Sequence, residues 1–79
     1  IAVNDELGEL EAALDAADAA VTASTEARRV VGERFAAGVA TSTDVVDAQV
    51  AILQAQLDRT QAIAAARLAE ARLNRAIGR

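Results

Sequence analysis

The sequence predicts an all-α fold, an antiparallel two-helix coiled-coil hairpin. Three observations lead there. The 79 residues include 22 alanines and no proline. Apolar residues recur at steps of three and four, the spacing of one helix face. The turn signals gather in one place, the run Gly38-Val39-Ala40-Thr41-Ser42-Thr43-Asp44.

The first helix is predicted over roughly 3–37, since Ala, Leu, Glu and Arg are strong helix formers. Val3, Leu7, Leu10, Leu14, Ala17, Val21, Val31 and Phe35 lie on a heptad seam, broken in the middle by Ser24 and Arg28. Gly8 and Gly32 fall inside this helix, at about 1 kcal/mol each relative to alanine, and leave room for a close neighbour.

The connection near 38–41 follows from its residues. Gly38 suits the left-handed position just past a helix C-terminus. Thr41 with Asp44 three residues on reads as an N-cap and a capping-box variant. The second helix then runs over roughly 42–77, with Gly78 as its stop. Its expected buried stripe is Val46, Val50, Leu53, Leu57 and Ala64, with Thr60 between and Leu68, Leu73 and Ile77 continuing it.

A tight turn makes the helices antiparallel and pairs positions whose numbers add to about 80. Phe35 is then expected against Val45 or Val46, and Leu7 against Leu73. Arg29–Glu33 and Arg67–Glu70 have helical-neighbour spacing, and Asp15 with Arg67 could fix register. Alanines also occur on several other faces, either as plain helix formers or because neighbours pack there closely.

Composition narrows function. There is no Cys, His, Met, Trp, Tyr or Pro, and all eight basic residues are arginine. No imidazole base, thiolate nucleophile, usual zinc site or disulfide can be built, so neither catalysis nor a cofactor is expected. A net charge of −4 with one aromatic argues against a nucleic-acid surface. No stretch approaches the roughly 18–20 apolar residues of a membrane helix, and no signal-peptide pattern opens the chain. Large aliphatics are thin for a lone globule, so the hairpin is expected to be a fragment or to be supported by other copies.

Residues 34–49 carry a more specific signal. Phe35, Gly38, Thr41 and Asp44-Val45-Val46-Asp47-Ala48-Gln49 resemble the periplasmic-tip segment of the TolC-like outer-membrane efflux proteins. Val46 replaces the family's usual Leu. Leu53, Ala55, Ala62, Ala71, Leu73 and Ala76-Ile77-Gly78 are similar to the second half of that pattern, most like the hairpin of the C-terminal repeat.

The resemblance implies one hairpin of a larger α-barrel, the periplasmic portion of a homotrimeric outer-membrane protein in a Gram-negative envelope. It implies that Asp44 and Asp47 line the pore constriction. It also implies that Phe35, Gly38 and Thr41 form a tip that docks a periplasmic adaptor protein and, through it, an inner-membrane transporter. Ala40 stands where some members carry a basic gating residue. Two other readings remain open: the α-hairpin of an adaptor protein, and a generic coiled-coil oligomerisation scaffold. As an isolated chain the hairpin is expected to self-associate, as in a four-helix bundle of two copies.

Overall fold

The computed structural model describes residues 2–78, with side chains from Glu6 onward. Two helices of equal length, α1 (Ala2–Ala36) and α2 (Ser42–Ala76), fold back on each other. They make a rod of 61 × 16 × 13 Å with a radius of gyration of 17.9 Å. A compact domain of this length would have a radius near 12 Å, so the hairpin has no globular core. The predicted architecture is the observed one, with each helix ending about one residue earlier than expected.

The α1 seam follows the heptad in unbroken steps of three and four. Leu7, Leu10, Leu14, Ala17, Val21, Ser24, Arg28 and Val31 are all partly buried. Val3, the first expected member, lies outside the described side chains. Phe35, the last, leaves the seam and keeps 49% of its surface exposed.

On α2 the expected stripe is off by one residue over its first half, and of its later members Leu73 is partly buried while Ala64, Leu68 and Ile77 are exposed. Val46, Val50, Leu53 and Leu57 all point to solvent. The face against α1 is Val45, Ala48, Ile52, Ala55, Ala62, Ile63, Ala66, Ala69 and Leu73. Only Ile52 and Ala55 among the described residues are buried, and neither completely. At the level of this stripe α1 presents Val21, Ser24, Arg28 and Val31, and the line of Val45, Ala48, Ile52 and Ala55 closes on them, its alanines letting the helices approach. At the open end Leu7, Leu10 and Leu14 line a groove with Ile63 and Ala66. The larger α2 stripe is left outside.

Among the described residues one ion pair crosses the hairpin, Arg59 Nε donating to the Asp18 carboxylate, and it marks the register. Neither Asp15–Arg67 nor Arg67–Glu70 forms among the described residues. Arg29–Glu33 does form, and Arg29 also donates from Nε to Glu26 at 3.0 and 3.1 Å. Those hydrogen bonds, and then the charge of Arg29, hold the Glu26 carboxyl below its usual value. A lowered carboxyl pKa favours folding above the unfolded value and loses that effect as pH falls through the folded one. Glu26 is fully solvated, so this is a minor contribution.

Arg28 is the irregular member of the seam. Its Nε is buried without a hydrogen-bond partner. Its guanidinium lies over Gly32, where an added Cβ would come within 2.7 Å of Nη1. The space expected at Gly32 for a neighbouring helix is thus filled by the chain's own arginine. Snorkelling of this kind buries the stem while the head reaches solvent. An orphaned buried donor costs about 1–3 kcal/mol, so Arg28→Leu is expected to stabilise the hairpin by about 1 kcal/mol. Denaturant unfolding followed by far-UV circular dichroism checks this; an unchanged or lower midpoint contradicts it.

Candidate functional site

The tip is bonded on both sides of its bend. At the end of α1, Val39 N–H donates to Arg34 C=O at 2.9 Å, and Gly38 N–H to Phe35 C=O at 3.1 Å. This bond pair is the Schellman motif, which requires a left-handed residue just past the helix. Gly38 supplies it with φ +79°.

Three residues later α2 begins on a complete capping box. Thr41 sits in extended backbone at φ −95°, ψ 165°. Its Oγ1 accepts from Asp44 N–H at 3.1 Å, and Asp44 Oδ2 accepts from Thr41 N–H at 2.9 Å. The two helices are therefore joined by a turn in which the backbone is bonded on both sides of the bend.

The two acidic residues have different surroundings. Asp44 commits one oxygen to the cap and places its charge at the positive end of the α2 dipole. Asp47, one turn on, is exposed and makes no hydrogen bond or ion pair among the described residues. No group of carboxylates among the described residues could hold a metal ion. The chemistry available here is that of a fixed negative charge on a rigid turn.

The apolar residues of the tip face outward as well. Val39 is 73% exposed and Val46 58%, beside the half-exposed Phe35. Phe35 was expected to close the seam against Val45 or Val46. Instead Val45 turns inward while Phe35 and Val46 stay in solvent.

The structure thus joins Thr41 with Asp44 in one bonded unit and sets Gly38 directly before it. Phe35 and Asp47 belong to the same end but not to that unit. Val39, exposed in the middle of the turn, was not singled out from sequence; its place beside Gly38 was the available signal. Two grooves run along the seam at the far end, both lined by Leu7.

No protein-family model matches the chain, and no curated protein or solved structure matches it.

Proposed function

We propose that this chain is a helical hairpin from the wall of a TolC-like export conduit, with its tip at the periplasmic entrance and against an adaptor protein. One observation carries the reading: the tip is at once bonded rigid and left apolar on its outside. Phe35, Val39 and Val46 stay exposed around a turn fixed by the Schellman motif and the capping box. Exposed apolar groups gathered on a rigid element are what a docking surface requires. No helix of the described residues is long and apolar enough to cross a membrane, which suits a segment lying outside the bilayer.

In this reading the hairpin has no catalytic part. Three protomers converge at the tip, and the carboxylates of Asp44 and Asp47 from each form a ring that attracts cations. Asp47 carries most of that effect, because its carboxylate has no partner among the described residues, whereas one oxygen of Asp44 is held in the cap. The generic scaffold is the second reading. It accounts for the exposed α2 stripe equally well, but gives no role to an apolar tip.

The test is single-channel recording of the channel protein that carries this segment. Asp47→Ala is expected to reduce cation selectivity with the hairpin intact, and Asp44→Ala to reduce selectivity while also loosening the cap. Loss of the Thr41 and Asp44 partnership removes about 1 kcal/mol of helix stability. Cation selectivity unchanged by both substitutions would sink the proposal.

A further inference from the structure

Charge is distributed unevenly along the rod. Over residues 6–18, α1 carries five carboxylates, Glu6, Glu9, Glu11, Asp15 and Asp18, and no base. Over residues 59–76, α2 carries four arginines, Arg59, Arg67, Arg72 and Arg75, against the single acid Glu70. Nearer the tip the signs mix on α1, where Arg29 is paired with Glu26 and Glu33 of its own helix. The open end therefore sets an acidic arm beside a basic one.

Packing at that end is incomplete. One groove between the arms is lined by Leu7, Ala69 and Leu73, with Glu6 from α1 and Arg72 from α2. The other is lined by Leu7, Leu10, Leu14 and Ile63, with Glu11 from α1 and Arg67 from α2 beside Glu70. Each groove thus has opposite charges on its two sides. Neither Glu6–Arg72 nor Glu11–Arg67 closes into an ion pair among the described residues. The pair that does cross, Asp18–Arg59, stands where the charged arms meet the tip half. Ile52 and Ala55, the two buried residues, lie on the tip side of it.

We propose that the open end is an electrostatic clasp. Opposite charge acting across the grooves draws the arms together, and they part when salt screens that charge while the tip half stays closed. The inference rests on charge placement and packing, so it does not depend on the transport reading.

Two effects favour such segregation, and their range separates them. Acids in a first turn and arginines in a last turn suit the dipole of their own helix, but that effect fades within the turn. With α1 starting at Ala2 and α2 ending at Ala76, it reaches Arg75 and leaves out Glu9, Glu11, Asp15, Asp18, Arg59 and Arg67. Attraction between the helices covers them all. Packed helix axes lie about 8–10 Å apart. That is well inside the Debye length of about 30 Å at 0.01 M salt and well outside the roughly 3 Å at 1 M.

A single exposed pair contributes little. Here the two arms act as wholes, and screening weakens every rung at once. The tip half answers differently, because Val45, Ala48, Ile52 and Ala55 hold it through apolar contact that salt does not screen. The same salt step therefore divides the molecule near Asp18 and Arg59. Parting uncovers Leu7, Leu10, Leu14 and Leu73, so the clasp controls access to the apolar seam.

The chain has no cysteine, so spin labels can be set at chosen positions. Ala13→Cys with Ala64→Cys reports the open end, and Ala27→Cys with Val50→Cys the tip half, all at exposed sites. Labelled chains are diluted into excess unlabelled chain, so each distance belongs to one hairpin. From about 0.01 M to about 1 M sodium chloride, the open-end distance distribution is expected to broaden about twofold and the tip-half distribution to keep its width. Charge exchange then separates the clasp from the dipoles. Arg59→Glu, Arg67→Glu, Arg72→Glu and Arg75→Glu together are expected to open that end even at low salt. Adding Glu6→Arg, Glu9→Arg, Glu11→Arg, Asp15→Arg and Asp18→Arg to the same chain restores the attraction with both dipole terms reversed, and is expected to close it again. An exchanged chain that stays open would show that the charges serve only their own helices, and would overturn the proposal. So would an open end indifferent to salt, or two label pairs that broaden together, which marks unfolding of the hairpin as one unit.

Discussion

Shortening Ile52 to alanine lowers the stability of the hairpin by about 2 kcal/mol, the low end of the range for a buried aliphatic. The low end applies because the site is a thin seam, 9% exposed at Ile52 itself, which can partly collapse. The same truncation one residue later, Leu53→Ala, removes a side chain that is 57% exposed in the hairpin. In dilute solution its effect is expected within about 0.5 kcal/mol. The neighbours separate the two faces of α2 sharply. Ile52 touches the other helix of its own hairpin, so its penalty is independent of protein concentration. Leu53 belongs to the outer stripe, so its penalty grows as copies associate. Denaturant titrations of both variants at low and high micromolar protein make the comparison. Equal penalties at both concentrations would mean that the outer stripe is idle, and a larger penalty at Leu53 in dilute solution would reverse the assignment of the seam.

That pair of residues also marks where the sequence is ambiguous. On α1 the large residues are concentrated on one line, from Leu7 through Val31, and alanine and polar residues make up most of the rest. Periodicity alone then picks the buried face. On α2 two apolar lines run one residue apart, Val45-Ala48-Ile52-Ala55 and Val46-Val50-Leu53-Leu57. The second line is bulkier, and a rule that buries the largest residues selects it. What decides is the partner: at this level α1 presents Val21, Ser24, Arg28 and Val31, and a line that includes Ala48 and Ala55 packs on them more closely than one of four large residues. That information lies in the other helix and is absent from the α2 pattern itself.

The same division holds for the polar contacts. The capping box of Thr41 and Asp44 is legible because both partners lie within three residues and the cap has one geometry. Arg29–Glu33 is legible for the same reason. The cross-hairpin pair is not, because a shift of about five residues in register exchanges Asp15–Arg67 for Asp18–Arg59 with no change in the local sequence rules. Phe35 shows the converse. Its heptad position places it in the seam, yet the chain already bends there through Gly38, and the side chain ends half in solvent.

Gly38→Val is expected to lower stability by about 2 kcal/mol, and the cause is backbone conformation rather than a clash. Gly38 holds φ +79°, a region that L-residues enter at about 1–2 kcal/mol and β-branched ones at more. A Cβ built there meets nothing within 4 Å, so added bulk has no other consequence. Alanine is then expected to lose about 1 kcal/mol, and asparagine less, since it tolerates this conformation. Gly78 provides the control. It has the same φ of +79° and the same open surroundings, but it follows the last turn of α2, where fraying relieves the strain. Gly78→Val should therefore leave the unfolding midpoint nearly unchanged. At the tip relief takes a different form, because the bend must be made somewhere between Ala37 and Thr41. A valine at position 38 shifts the turn and draws Thr41 away from Asp44. Amide exchange at Asp44 N–H, protected by the Thr41 hydroxyl in the native turn, is then expected to quicken in Gly38→Val and not in Gly78→Val. Similar losses of stability at the two glycines, or an Asp44 amide that stays protected in Gly38→Val, would show that the left-handed glycine is not what fixes the tip.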